Sequence, residues 1–226
     1  MAKKENKTED QFAQIEETLS KTEQYIEDNQ KNLTRIVGGI IAVIALFLGY
    51  QKLYIAPMEQ EAQTEIFMAE LYFQKDSFEL ALNGDGQYLG LIDISEEYSA
   101  TKIGKLASYY AGIAYLNLGN FERAIEYLSD FSSDDIILSA LALGCIGDSY
   151  LELGNTKDAL SYYQDAASYS KNNFTTPRYM FKEAIIHEDN GDYEEALSLY
   201  KIIQTDYKSS REAGNIDKYI ARAKNR

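Results

Sequence analysis

A pattern of apolar and polar positions with helical spacing occurs twice in this chain, 35 residues apart. The first copy runs from Gly112 to Ala124 and reads GIAYLNLGNFERA, and the second runs from Gly147 to Ala159 and reads GDSYLELGNTKDA. Two glycines, a tyrosine and an alanine keep the same offsets in both copies. A fixed period of this length predicts stacked helical hairpins, which expose a long binding surface instead of closing around a single core.

Each copy predicts two helices that cross at small residues, because only small side chains let two helix axes approach closely. We expect the helix with Gly112 and Tyr115 to pack on the helix with Ala124, Leu128 and Phe131. The same contacts in the second copy would involve Gly147, Tyr150, Ala159, Tyr163 and Ala166.

The ends of these helices can also be predicted. Gly119 and Gly154 should end the first helix of each pair, since glycine adopts a left-handed backbone at little cost. A third copy follows, and a weaker fourth copy lies upstream, where the turn at residues 83–86 interrupts it ahead of a helix at roughly residues 87–98. The polar residues 211–224 predict a capping helix, which such stacks need at their ends. The third copy is marked by Ala184, His187, Gly191, Ala196 and Tyr200, and the fourth by Ala69, Tyr72, Asp76 and Ala81.

These positions resemble the tetratricopeptide repeat, a helical hairpin with small residues at the helix crossing, an aromatic residue at the eleventh position and alanine at the twentieth. The resemblance implies an all-α solenoid. It also implies that the first helix of each pair lines a concave groove that binds other polypeptides.

The groove positions inferred from this resemblance are mostly aromatic, aliphatic or acidic. Such a groove suits extended hydrophobic or basic segments, as in unfolded clients. Alternatively, the groove packs on another subunit or on the chain's own helices. A clamp for a terminal carboxylate is not expected, because only Lys182 is basic among the matching positions. The positions are Tyr109, Tyr110, Ile113, Leu116 and Asn117, then Gly144, Asp148, Leu151 and Glu152, and finally Phe181, Lys182, Ile185, Glu188 and Asp189.

An uncharged stretch, Ile36–Tyr50, precedes the repeats. Its length as a helix is about 22 Å, so a bilayer span needs the helix to continue to Ala56, with Lys52 snorkelling and Pro57 ending the helix. The long charged segment before it and the absence of a clear cleavage site favour an uncleaved anchor over a signal peptide. We therefore predict one transmembrane helix over residues 36–56, and a buried helix of a soluble protein is the alternative.

Basic residues flank this span unequally. Lys21, Lys31 and Arg35 precede it, whereas the next basic residue after Lys52 is Lys75. The positive-inside rule then predicts a cytoplasmic N-terminus and places the repeats on the other side of the membrane.

One face of the span carries small residues, which would let a second helix approach closely. The alternative is that glycine and alanine are simply common in spans. The residues of this face are Gly38, Ala42, Ala45 and Gly49.

The segment before the span has a heptad pattern of apolar residues, which predicts an amphipathic helix. It could dock on a cytoplasmic partner, lie on the membrane or remain mostly solvated. The seam consists of Phe12, Ile15, Leu19, Ile26 and Leu33.

Composition narrows the possible chemistry. The formal net charge of −14 argues against nucleic acid as a partner. Cys145 is the only cysteine and His187 the only histidine, so we expect no structural zinc site, and packing is the expected role of both residues. The Asn83–Gly86 stretch predicts a turn and not a calcium loop, because Ala81 stands where the first carboxylate of such a loop should be and Ile92 where its bidentate glutamate should be. No phosphate-binding loop and no constellation of catalytic residues is recognisable, so we predict a protein with no enzymatic activity and no cofactor.

The layout of a short N-terminal segment, one span and helical repeats resembles the YfgM-like ancillary subunits of the bacterial Sec translocon. LALNGDG at residues 80–86 and FTTP at residues 174–177 also resemble tetratricopeptide proteins of the Bacteroidetes type. The resemblance implies a bacterial inner-membrane protein with a periplasmic C-terminal domain and no catalytic residues. Implied partners are channel subunits of the translocon, a periplasmic chaperone or foldase, and secretory client polypeptides. The alternative is an inner-membrane scaffold for envelope assembly or cell division without a link to the translocon.

Four segments follow from this layout. They are a cytoplasmic segment at residues 1–35, the transmembrane helix at 36–56, the repeat domain at 57–210, and the capping helix and tail at 211–226.

Overall fold

The computed structural model describes the backbone of residues 2–226 and the side chains of residues 23 and 25–226. Every regular element within this part of the chain is helical, which confirms the all-α prediction. A π-helical turn covers Gln51–Ile55 and a 3₁₀ turn covers Glu212–Asn215. The α-helices are α1 (Ala2–Tyr50), α2 (Ala56–Gln74), α3 (Phe78–Asn83), α4 (Leu91–Glu97), α5 (Lys102–Asn117), α6 (Phe121–Asp130), α7 (Ile136–Glu152), α8 (Thr156–Tyr169), α9 (Thr175–Asn190), α10 (Tyr193–Asp206) and α11 (Ile216–Lys224).

Backbone contacts divide the chain into two compact units, residues 1–56 and residues 57–226. In the first unit, the large apolar side chains from Ile36 to Leu48 are all more than half exposed. They belong to a helical stretch, Tyr25–Gln74, whose most apolar window has a mean hydropathy of 2.0. This is a helix long enough and apolar enough to cross a membrane. Three residues of the heptad seam, Phe12, Ile15 and Leu19, lie outside the residues whose side chains are described.

The expectation that Pro57 ends the helix is wrong. Helix α2 begins at Ala56 and carries Pro57 in its first turn, where the missing N–H costs little. Just before it, the N–H of Ala56 donates to the carbonyl of Gln51, five residues earlier. This wider π-helical spacing accommodates the proline that a regular helix interior would not tolerate.

The second unit contains the predicted helical pairs, α5 with α6, α7 with α8, and α9 with α10. A Cβ atom on Gly112 would lie 2.5 Å from Cγ of Leu128, and one on Gly147 would lie 2.7 Å from Cε1 of Tyr163. Nothing larger than glycine fits at these crossings without displacing the Leu128 or Tyr163 side chain of the neighbouring helix. The predicted packing of small residues against the second helix is therefore confirmed for both strong repeats.

The turns inside the pairs share one hydrogen-bond pattern. Gly119 and Gly154 are left-handed, with φ of 76° and 75°. In each turn the backbone N–H of the residue after the glycine donates a hydrogen bond to a tyrosine carbonyl of the first helix. Asn120 donates to Tyr115 at 2.9 Å, and Asn155 donates to Tyr150 at 2.8 Å. This bond satisfies a carbonyl that the helix end would otherwise leave unpaired, and it sets the direction of the second helix.

The weak upstream copy forms the same kind of turn without a glycine. Asp76 stands at the equivalent place between α2 and α3 with φ of 55°, and the N–H of Ser77 donates to the carbonyl of Tyr72 at 2.9 Å. Because Asp tolerates this conformation less well than Gly, the sequence signal is weak even though the turn is retained.

Asn83 is the last residue of α3, and the predicted turn begins after it, at residues 84–86. One carboxylate oxygen of Asp85 accepts the backbone N–H groups of Gln87 and Tyr88, both at 2.9 Å, and the other accepts the Tyr72 hydroxyl at 2.7 Å. These bonds hold residues 87–90 outside a helix, so α4 begins at Leu91 instead of near Gln87.

Candidate functional site

Two tyrosines of α5 occupy the start of the predicted groove, and both are partly buried. The ring of Tyr110 lies 5.0 Å from that of Phe73 on α2, and the ring of Tyr109 lies 5.1 Å from that of Phe131. Burial raises the pKa of Tyr109 to about 12. Both tyrosines therefore contribute to packing between helices as well as to the surface.

Further along α5, the side chains become more open. Ile113 is partly buried in a cluster with Leu128 and Ile146, Leu116 is partly buried, and Asn117 is exposed. The Asn117 amide donates to the carbonyl of Ile113 in its own helix at 2.8 Å. The C-terminal half of this helix thus offers an apolar surface with a polar end.

On α7, the groove floor is covered by a residue of the next repeat. The ring of Tyr179 on α9 occupies the space that a Cβ atom on Gly144 would need. Asp148, one helical turn along, accepts the Tyr163 hydroxyl at 2.5 Å and forms an ion pair with Lys182. Burial and the Asp148 carboxylate raise the pKa of Tyr163. Asp148 and Lys182 therefore neutralise each other and join two repeats.

Beyond Asp148, α7 presents two open side chains, Leu151 and Glu152. Leu151 is 40% exposed. An apolar side chain beside an acidic one agrees with the expected character of this part of the groove.

The third repeat is more closed than its repeat positions indicate. Phe181 packs edge-on against Tyr219 of α11, with the ring centroids 4.7 Å apart, and Ile185 is partly buried in the same cluster. Glu188 is buried, where it accepts the Tyr200 hydroxyl at 2.7 Å and the Nε of Arg222 at 2.9 Å. Its expected place in an open groove is therefore wrong, because the capping helix covers it, whereas Asp189 next to it is exposed.

A cleft that the sequence did not reveal lies between the start of α5 and the α6–α7 loop, with a volume of about 570 Å³. We call it the α5–α7 cleft. Residues at the N-terminal ends of two helices meet here only because the repeats stack. Its principal side chains are Lys102, Ile103, Lys105, Leu106, Phe131, Asp134 and Leu138.

A second cleft, of about 270 Å³, lies between the start of α9 and the 3₁₀ turn, and we call it the cationic cleft. The repeat positions predicted only one basic residue in the groove, Lys182. The structure places Arg178 and Arg211 in the same cleft as Lys182. Arg211 follows Arg178 by a full helical pair, so no local pattern could have brought them together. The lining residues are Asn173, Phe174, Arg178, Phe181, Lys182, Arg211 and Glu212.

In the N-terminal unit, the small-residue face lies on an exposed stretch of α1. Ala42 and Ala45 are exposed, and no described atom lies within 4 Å of a Cβ placed on Gly38 or Gly49. The face thus has room for another helix, and its role stays a prediction.

Two tetratricopeptide-repeat family models match the chain, one at residues 146–210 and the other at residues 106–134. The chain contains tetratricopeptide repeats. No curated protein matches it. Tetratricopeptide repeats bind protein partners and are typically non-enzymatic scaffolds, which supports the interaction surface and the helical architecture derived above.

The titratable groups near the groove fit a structural role. Burial raises the pKa of the Cys145 thiol to about 11, so little thiolate forms at neutral pH and the sulfur is a poor nucleophile. His187 is partly buried in its repeat's aromatic position, with Nδ1 3.5 Å from the Asp192 carboxylate. Within the described residues, no group of three or more His, Cys, Asp or Glu side chains is placed to hold a metal ion.

Proposed function

We propose that this protein is a non-enzymatic, membrane-anchored adaptor whose groove along α5, α7 and α9 binds extended segments of other polypeptides. The observation that carries the proposal is the apolar surface left open on the first helices of the repeats, where Leu151 is 40% exposed and Ile113 and Leu116 are only partly buried. Contact of such a surface with water is unfavourable, and an extended segment that places alternate side chains into it would remove that contact.

The proposed anchor is the helix over residues 36–56, with residues 1–35 in the cytoplasm. The repeat domain at 57–210 and the cap at 211–226 would lie in the periplasm of a bacterial inner membrane. Support comes from the exposed apolar side chains between Ile36 and Leu48 and from the basic residues concentrated before the span.

The proposed location within that membrane is beside the Sec translocon, where the protein would assist secretory clients together with a periplasmic chaperone or foldase. Support is the similarity of layout to ancillary translocon subunits. The face of Gly38, Ala42, Ala45 and Gly49 would pack on a helix of a channel subunit or chaperone. Tethering raises the local concentration of the groove near emerging chains, so weak individual contacts suffice.

The groove is tested by photocrosslinking in intact membranes. A crosslinking amino acid at Leu151 or Tyr109 should capture other polypeptides, whereas one at Lys157, exposed on the second helix α8, should not. Equal products at all three positions would contradict a groove function. Identification of the captured chains then separates secretory clients from other partners.

Location is tested by two further measurements. Protease added to spheroplasts should digest the repeat domain, and alkaline carbonate should leave the chain in the membrane pellet; protection from protease would refute the periplasmic orientation. Purification in mild detergent should recover channel subunits. Recovery of division or envelope-assembly proteins in their place would support a scaffold and exclude the link to the translocon, while leaving the groove function intact.

A further inference from the structure

The cationic cleft has the opposite charge to the rest of the molecule. The chain carries a formal net charge of −14, yet three of the side chains lining this cleft are basic and only one is acidic. Lys182 is already paired with Asp148. Arg178 and Arg211 are exposed, and neither lies within ion-pair distance of a carboxylate in the part of the chain whose side chains are described. The positive charges of these two guanidinium groups are thus not neutralised by a described carboxylate, although both groups line the same cleft.

Arg178 lies beside the floor of the groove. Its guanidinium carbon lies 5.8 Å from the centre of the Tyr179 ring, which is buried against Gly144. Phe181 and Lys182 are groove positions that also line the cationic cleft, so the cleft adjoins the surface proposed to bind extended segments.

Two phenylalanines supply the apolar part of the cleft. Phe181 lies edge-on against Tyr219, so its ring is fixed, whereas Phe174 at the mouth of the cleft is 55% exposed. An exposed aromatic ring beside two unpaired guanidinium groups offers a partner one apolar and one cationic contact, and aromatic and arginine side chains are enriched at interfaces. At about 270 Å³ the cleft is smaller than typical small-molecule pockets, so it suits side chains of a peptide better than a cofactor.

We infer that the cationic cleft binds an acidic residue followed by a bulky apolar residue within the extended segment held in the groove. Guanidinium groups bind carboxylates through two parallel hydrogen bonds, which gives both attraction and orientation. The apolar neighbour would pack on Phe174 and Phe181. This inference rests on the proposed function and differs from the expectation of a groove for hydrophobic or basic segments, since this end of the groove would select acidic segments.

The test uses the full-length protein in detergent micelles and fluorescent capped peptides measured by anisotropy. One twelve-residue peptide carries a central Glu-Phe pair in a Ser/Gly/Leu background, and a second carries Lys-Phe at the same place. The Glu-Phe peptide should bind about tenfold more tightly at low salt, with the difference shrinking as salt screens the charges. Equal binding of the two peptides, or binding of neither, would overturn the inference.

Substitution of the two arginines tests whether they cause the tighter binding of the Glu-Phe peptide. Replacing both, Arg178→Gln with Arg211→Gln, should weaken binding of the Glu-Phe peptide about tenfold, since each exposed ion pair contributes modestly. The matched control, Lys157→Gln with Lys201→Gln, removes the same charge from exposed sites on α8 and α10 and should change affinity less than about twofold. Equal losses in the two double variants would show only a general charge effect and would reject the cleft.

Two further experiments show whether the cationic cleft alone is wrong or whether the proposed groove function is wrong as well. A peptide whose only carboxylate is its C-terminus should bind no better than the Lys-Phe peptide; tighter binding would show terminal capture and refute the internal acidic residue. If Leu151→Asn abolishes peptide binding but the arginine variant does not, the groove function stands and only the cationic cleft is wrong. If crosslinking at Leu151 also captures nothing, the proposed function itself fails.

Discussion

The ring of Tyr179 on α9 fills the space beside Gly144 on α7, so a side chain of one repeat occupies the place of a missing side chain in the repeat before it. Tyr179 is 1% exposed, and its ring stacks at 6.1 Å on that of Tyr163. The contact joins α7, α8 and α9 and forms the floor of the groove next to Arg178. The contribution of this contact to the free energy of unfolding can be measured by substitution at Gly144.

Gly144→Ala should destabilise the repeat domain by about 2 kcal/mol, because the new methyl group must displace the Tyr179 ring in a closely packed interface. Urea unfolding followed by circular dichroism measures this loss. Gly214→Ala is the matched control, since no atom lies within 4 Å of a Cβ at that position and its stability should change little. Equal stabilities of the two variants would show that the interface is loosely packed.

Arg222→Ala should destabilise the C-terminal cap by about 2 kcal/mol at neutral pH, because it leaves the buried Glu188 carboxylate without its charged partner. Arg222 holds the pKa of Glu188 below its ordinary value of 4.5. The stabilisation is therefore present above pH 4.5 and lost as the pH falls through the lowered pKa.

The same variant predicts a specific pH dependence. Below pH 4.5, Glu188 can take up a proton in the Arg222→Ala protein, so the difference in unfolding free energy from the unmodified protein should shrink. Lys224→Ala, an exposed change on the same helix, should have little effect at either pH. A pH-independent deficit would indicate lost packing and not lost charge.

Alkaline stability should depend on Tyr109. Its folded pKa of about 12 exceeds the ordinary value of 10, so the buried neutral phenol stabilises the fold below pH 10, and this contribution disappears as the pH rises through about 12. Tyr109→Phe should therefore lose less stability between pH 10 and 12 than the unmodified protein. Urea titrations at several pH values test this, with the half-exposed Tyr169→Phe as control.

The left-handed turns provide a matched pair of substitutions. Gly154→Ala should cost about 1 kcal/mol, because alanine is strained at φ of 75°. Asp76→Gly, at φ of 55° in the upstream turn, should be neutral or stabilise by a few tenths of a kcal/mol. A large loss from Asp76→Gly would show that the Asp76 side chain makes contacts that matter more than backbone strain. Thermal unfolding of both variants gives the comparison.

Features that depend on interactions between residues close together in the sequence were predictable. The left-handed glycines, the helix crossings at Gly112 and Gly147, and the apolar stretch from Ile36 to Leu48 each follow from residue type and helical spacing. Pro57 shows the limit of this reasoning, because a π-helical turn placed just before it let the helix continue.

The groove was predictable only in outline. Repeat position indicated the helices that line it, but openness depends on what later elements cover. Glu188 was expected to be open and is closed by Arg222, 34 residues further along the chain. The α5–α7 cleft and the meeting of Arg178 and Arg211 in the cationic cleft had no signal in the sequence, since each combines residues from different structural elements.

The sequence by itself determined the helical hairpins, their period and turns, and an N-terminal helix apolar enough for a membrane, because each of these depends on residues within a few helical turns of one another. Only the tertiary structure decided which groove positions are open, which are buried and where positive charge collects. Those properties arise where side chains from distant segments contact one another. The Tyr179 ring fills the space beside Gly144, and Arg222 neutralises the charge of Glu188.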